Sequence, residues 1–354
     1  MNSSSWVLSE EQLRDWLHEL IESGSSVIAP SEEDGVLLFR RCTSTDSAVI
    51  SPAGKTRWSP KEFLFPRSEA LYRYHFKGDA VQLEDPPLDD QPQTLFGVRS
   101  CDASGLARLD EIFLSGKQDR LYTARRERTT VVSTACAAAD PECFCTAVGV
   151  SPVGEEGADL QLVPLGKKWL LRTVTEKGEA LVGAGADQWQ RASAEDTKKI
   201  KGIEKKVAKQ IERSPLKKEW SDVLEGGFDH PAWERLAEHC LGCSVCAYVC
   251  PSCSCFDMNH ESNAWCGEQC RSWDACTFAL FTHHASGHNP RSTKQERYRQ
   301  RVLHKFAFRE EEDEPFRCVG CGRCVALCPA GLDIGEIVTA AVAAIKEVDG
   351  NAAR

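Results

Sequence analysis

The stretches Cys240–Pro251, CLGCSVCAYVCP, and Cys318–Pro329, CVGCGRCVALCP, decide how this chain is read. Both spell C-x2-C-x2-C-x3-C-P, the run that ligates 4Fe-4S clusters in bacterial two-cluster ferredoxins. Three thiolates two residues apart wrap one corner of a cubane, and the fourth, beyond a short turn, reaches the neighbouring cluster. The expected ligand sets therefore cross. Cluster one takes Cys240, Cys243, Cys246 and Cys328, and cluster two takes Cys318, Cys321, Cys324 and Cys250. Zinc competes for paired C-x2-C motifs, but a third cysteine, the x3 spacing and the proline, all repeated, favour iron–sulfur.

Around these runs lies a chain of 354 residues with 18 cysteines, far above ordinary usage. It opens MNSSSWVLSEEQL, without a basic n-region or apolar signal core, so the expected location is cytoplasmic. Thiols stay reduced there, and clustered cysteines are ligands more often than disulfides. No apolar run approaches the length that crosses a bilayer, which argues against direct membrane insertion. Net charge is −10, from 53 acidic and 43 basic side chains, and that balance argues against nucleic acid as a partner.

The expected fold class is α+β, in three parts. Residues 1–190 form a mixed α/β domain with strands near 94–99, 129–134 and 168–174. Its helix over Glu10–Ile21 carries the stripe Leu13, Trp16, Leu17, Leu20 and Ile21, with Ser9 and Gln12 as a cap. Residues 191–230 form a basic helical linker. Ile200, Ile203, Val207 and Ile211 fall at helical spacing beneath lysines, either as a surface helix packed on its own domain or as a basic docking face. Residues 231–354 form an α-helical ferredoxin domain whose runs are separated by a long insertion of 67 residues. Within it Trp273–Phe281 and Lys294–Phe308 read as helical, Glu310–Glu314 as an exposed acidic link, and Ile334–Val348 as a closing helix.

Two further cysteine groups are open to more than one reading. Cys101, Cys136, Cys143 and Cys145 follow predicted strands or lie in loops near them, so a third 4Fe-4S cluster can form at the strand ends. Their spacing matches no standard run. Zinc, buried packing thiols or a redox-active Cys143 and Cys145 pair are the alternatives. In the insertion, Cys253, Cys255, Cys266, Cys270 and Cys276 either ligate another centre or pack beside cluster two. Arginines and lysines of the helix 294–308 are surface coat or, facing a cluster, raise its potential.

The chain lacks G-x-G-x-x-G after a strand, a Walker lysine loop, a G-x-S-x-G elbow and an H-E-x-x-H pair. No flavin, nicotinamide or hydrolytic site can be argued from it. Electron transfer is the chemistry that remains.

The segments FLFPRSEALYRY, FGVRSCDASGLARLDEIFL, CFCTAVGVSP, WDACTF, GHNPRSTKQERYRQRVLHKF and CVGCGRCVALCP resemble the β subunit of cytosolic sulfhydrogenases, group 3 NiFe hydrogenases that use NADPH. They are also similar to the A-type subunit of anaerobic sulfite reductases. The resemblance runs from about Lys61 to Ile337. It implies a non-catalytic iron–sulfur subunit that takes electrons from a flavin/NAD(P)-binding partner and passes them to a NiFe hydrogenase or, alternatively, to a sirohaem sulfite reductase subunit. It also favours a cluster at Cys101, Cys136, Cys143 and Cys145. From a different class comes a catalytic reductase of sulfur species, acting at that same N-terminal cysteine site.

Overall fold

The computed structural model describes residues 4–50, 54–88, 91–308 and 314–352. The expected acidic link at residues 310–313 lies outside them. Contacts divide the chain into two units: Met1–Leu64, Asp89–Ser214 and Val319–Gly322 form the first, and Phe65–Leu88, Pro215–Cys318 and Arg323–Arg354 the second. The described residues form strands β1 (Ser5–Ser9), β2 (Ser26–Glu33), β3 (Val36–Arg41), β4 (Ser68–Lys77), β5 (Ala80–Glu84), β6 (Gln93–Arg99), β7 (Thr129–Thr134), β8 (Leu160–Leu165), β9 (Lys168–Thr173), β10 (Gln190–Arg191), β11 (Phe256–Ser262) and β12 (Cys266–Trp273).

The first unit is built on an eight-stranded sheet in the order β10-β1-β9-β8-β7-β6-β2-β3. Its centre is parallel, β2 with β6, β6 with β7 and β7 with β8, and antiparallel strands flank it. Parallel neighbours need covered crossovers, so their residues are apolar towards both faces. On one face Trp6, Leu8, Phe96, Val132, Leu162 and Leu171 meet the stripe Leu13, Trp16, Leu17 and Leu20 of helix Glu10–Glu22. On the other, Val163 and Leu170 meet Ile200 of helix Ala194–Ala208, whose lysines stay outside. The cap of helix Glu10–Glu22 is reciprocal: Gln12 N donates to Ser9 Oγ at 3.1 Å, and Ser9 N to Gln12 Oε1 at 2.9 Å. Ser9→Ala is expected to cost about 1 kcal/mol, visible as faster amide exchange in the first turn of that helix and nowhere else.

The second unit joins an antiparallel sheet, β11-β12-β4-β5, to the helices Trp220–Gly226, Ala232–Ala237, Lys294–Phe306 and Ile334–Ala352, which pack on one another. Two features depart from the expectations above. Trp273 closes a strand and residues 274–281 form turns, where a helix was expected, and β4 with β5 belongs here instead of in the N-terminal domain. The cause is one set of pairings. β12 bonds to β11 on one side and to β4 on the other, tying residues 68–75 to 266–272 across nearly two hundred positions. No helix among the described residues is long and apolar enough to cross a membrane.

Candidate metal centres

The N-terminal cysteines sit where a parallel sheet places ligands, beyond the carboxyl ends of its strands. Arg99 at the end of β6 is in register with Thr134 at the end of β7. Cys101 and Cys136 each follow two residues later, and Cys143 and Cys145 come from the loop between β7 and β8. All four line one cleft of the first unit, together with Lys55, Arg99 and Cys321. Lys55 Nζ lies 3.9 Å from Cys143 Sγ and 3.2 Å from a carboxylate oxygen of Asp140. Arg99 donates to Gly54 O at 2.8 Å. Burial pushes the Cys145 thiol up to about 12, with Cys136 and Cys143 adding to it. Cys136 is raised as well, by burial against the pull of Arg99. Burial works to lower Lys55, yet Cys143, Asp140 and Cys321 hold it above its ordinary value. Ionised together, thiols this crowded would repel one another unless a cationic centre lay among them.

Gly320 and Gly322 of the second run complete this unit. Phe144 N donates to Gly320 O at 2.9 Å. A Cβ on Gly320 would lie 2.5 Å from the Cα of Cys145, and one on Gly322 would lie 2.3 Å from Glu142 O. Only glycine allows backbone to approach backbone so closely.

In the second unit Cys240, Cys243, Cys246 and Cys328 line one cleft, with Cys324, Tyr298 and Arg301 on its walls. The two ferredoxin runs repeat each other in backbone as well as in cysteines. Gly242 and Ser244 have φ of 66° and 63°, and the equivalent Gly320 and Gly322 have 62° and 73°. One-turn helices follow at matching positions, Val245–Tyr248 and Arg323–Ala326. Left-handed residues at these places turn N–H groups towards an anionic centre. Gly242 N–H bonds the sulfur of Cys240, and Leu332 N donates to Cys328 Sγ at 3.3 Å. Ser244, a non-glycine in the left-handed region, is held by a buried 2.6 Å hydrogen bond between its hydroxyl and Thr277 Oγ1.

Helix Lys294–Phe306 sends two cations inward, four residues apart on one face. Arg301 and Lys305 are each 3% exposed. Arg301 donates to Cys246 O at 2.9 Å and to Cys253 Sγ at 3.7 Å, while Lys305 Nζ donates to Ser252 O at 3.0 Å. Burial disfavours the charge of Arg301, but Cys246, Cys253, Cys324 and Cys276 hold its pKa well above the ordinary value. Lys305 is likewise buried and held high by Cys250, Cys253 and Cys318. From sequence this helix reads as surface coat or, alternatively, as cluster-facing; the structure divides it, with Arg299 stacked on Phe228 at 3.6 Å and bonded to the Phe228 carbonyl on the other side.

Of the predicted ligands, Cys318, Cys324 and Cys250 belong to the second unit and Cys321 to the first. Among the insertion cysteines, Cys253 packs with Ala247 and Ala275, and Cys255 pairs with Cys276. Cys266 and Cys270 lie apart from these, on β12. None of the eighteen cysteines is in a disulfide. Among the described residues no group of three His, Cys, Asp or Glu side chains closes on a single ion. A cubane spreads its ligands over four irons and asks for a wider set. Lys55 and Arg99 do not stand out in the sequence; the only local cue is the neighbour relation of Arg99 to Cys101.

A family profile described as a 4Fe-4S dicluster domain matches residues 239–332, a span that takes in both runs. The chain is 32% identical over 327 residues to sulfhydrogenase 2 subunit beta of Pyrococcus furiosus, covering 92% of this chain and 95% of that one. The chain belongs to the sulfhydrogenase β-subunit family. As a member of that family with a dicluster domain, it is an iron–sulfur electron-transfer subunit. The sulfhydrogenase β-subunit likeness extends well beyond the dicluster span, into the unit that carries Cys101, Cys136, Cys143 and Cys145.

Proposed function

We propose that the chain relays single electrons from a flavin/NAD(P)-binding subunit to a NiFe hydrogenase subunit in the cytoplasm. It would do so through clusters on Cys240, Cys243, Cys246 and Cys328, on Cys318, Cys321, Cys324 and Cys250, and on Cys101, Cys136, Cys143 and Cys145. The observation that carries this reading is the buried pair Arg301 and Lys305. A buried charge is costly unless an opposite charge meets it. Here the groups that favour both charges are cysteines. Cysteine thiolates holding iron–sulfur clusters would supply that negative charge.

A 4Fe-4S cluster, when bound, supplies one-electron chemistry without making or breaking substrate bonds. The protein's residues anchor it, exclude water and set its potential. With clusters bound, Arg301 and Lys305 would stabilise the more negative, reduced state and so raise the potential of the clusters they face. Lys55 and Arg99 have the same role beside the N-terminal set. Cys321 of the second run lines the N-terminal cleft together with Cys101, Cys136, Cys143 and Cys145.

Iron and acid-labile sulfide on anaerobically prepared protein, with EPR of the dithionite-reduced sample, test the proposal. About twelve irons per chain are expected, falling to about eight in Cys101→Ala. About eight in both would remove the third cluster. Turnover of polysulfide by the isolated, fully loaded chain would favour a catalytic site at Cys143 and Cys145 instead.

A further inference from the structure

The sheet β11-β12-β4-β5 has two faces of opposite character. On one, Arg73 is paired with Glu268 at 3.0 Å, His75 bonds Gln82 at 3.0 Å, and Ser68 bonds Ser272 at 2.9 Å. That face is built for water. The other face carries Tyr72, Phe76, Val81, Leu83 and Met258. Register sets this division, since Phe76 lies opposite Val81, Tyr74 opposite Leu83 and Tyr72 opposite Gln269. An irregularity between Gln269 and Cys270 leaves Leu71 without an opposite residue, so Glu69 and Tyr72 fall on the same side of the sheet.

A sheet with one charged and one apolar face is expected to bury the apolar one. Near Arg271 it does, because Phe65, Phe256 and Trp273 pack there. Further out the face is bare. Leu83 is 69% exposed, Val81 55%, Met258 50%, Phe76 45% and Tyr72 42%. Trp265, in the β11–β12 turn, accepts a backbone hydrogen bond from Phe76 and is 74% exposed. Of the ten most exposed large apolar side chains among the described residues, seven lie on this sheet and its turn, so the surface apolarity of the chain is concentrated here. The outer part of the face presents on the order of 500 Å² of apolar surface. That is at the upper limit for a monomer and, with a rim, near the roughly 800 Å² that one partner contributes to a stable interface.

We infer that this face docks a different subunit of the same complex, one whose matching surface is apolar and uncharged. The inference rests on the reading of the chain as an electron-transfer subunit. A subunit that exchanges electrons with other chains needs apolar contact to hold them in place, and the exposed large apolar side chains of the described residues are concentrated on this sheet. Apart from Tyr72, the one exposed titratable side chain of the strands on this face is His260, hydrogen-bonded to the Tyr74 hydroxyl at 2.9 Å, so the attraction is hydrophobic burial rather than ion pairing.

The test compares the co-expressed complex containing the wild-type chain with one containing the double variant Phe76→Asp, Leu83→Asp. Light scattering after size exclusion reads assembly, and iron content reads folding. The expected result is a variant with wild-type iron and at least about a hundredfold weaker association. Amide exchange on the wild-type complex gives a second readout needing no mutation: residues 72–83 and 256–260 are protected relative to the isolated chain. Wild-type assembly by the variant, or no protection of these segments, overturns the inference alone. A homodimer of the isolated chain that the variant breaks assigns the face to a second copy and overturns it too. A wild-type chain that joins no other subunit overturns both the inference and the functional reading beneath it.

Discussion

Arg301→Met is expected to lower the midpoint potential of the cluster that Arg301 faces by about 100 mV. For a separation on the order of 6 Å at an effective dielectric of about 20, a unit charge would contribute about 3 kcal/mol to the difference between the redox states. For one electron that is somewhat more than 100 mV. The sign follows from charge: the reduced cluster is the more negative, the buried guanidinium stabilises it more, and its removal makes reduction harder. Lys305→Met is expected to act in the same direction on the cluster near Cys250 and Cys318. Two controls make the result interpretable. Arg301→Lys keeps the charge and shifts the potential less than half as far. Arg299→Met, on the same helix but turned towards Phe228 and Asp229, leaves it unchanged. Potentiometric EPR reads all four, and equal potentials in Arg301→Met and wild type would mean that no cluster lies beside this helix.

Gly320→Ala is the more damaging change to the fold. Gly320 is left-handed, and alanine there costs about 1–2 kcal/mol. Its Cβ would also stand 2.5 Å from the backbone of Cys145, where no flexible side chain can yield. Gly331 separates the two terms, being equally left-handed, with φ of 65°, but with nothing within 4 Å of the added carbon. At about 2–4 °C per kcal/mol, Gly331→Ala is expected to lower the melting temperature by about 2–8 °C. Gly320→Ala is expected to lower it by more than about 10 °C and to release iron from the N-terminal set. Equal melting of the two variants would show that the approach of Gly320 to Cys145 is not close.

The parts of this structure legible in the sequence are those coded by short spacing. The cysteine runs, the stripe Leu13, Trp16, Leu17 and Leu20 with its Ser9 cap, and the strands around 94–99, 129–134 and 168–173 depend on neighbours a few positions away. What stayed hidden depends on partners far along the chain. Residues 273–281 read as helical because nothing nearby reveals that β12 is gripped by β4. The sheet of the second unit drew two of its four strands, β4 and β5, from a segment that looked N-terminal for the same reason. At the sites, cysteine spacing suggested the set lining the cleft at Cys240, Cys243, Cys246 and Cys328. Lys55 carries no local mark, and only the folded loop brings it to Cys143. Arg301 and Lys305 were visible as charges, but which face of their helix was buried was not.

The interleaving of the two units in the chain bears on how the protein is made. The first unit takes its last four residues from Val319–Gly322, and the second takes an early segment, Phe65–Leu88. A ribosome adding about 5–20 residues per second therefore delivers β4 and β5 long before β12 exists to pair with them. It delivers Gly320 long after Cys145 has begun to wait for it. Neither unit can be finished during early synthesis, so β4 and β5 and the N-terminal cysteines are left unprotected while most of the chain is still to come. Slower elongation or a holding chaperone is therefore expected to raise the yield of iron-loaded protein more than a change that only stabilises the finished fold.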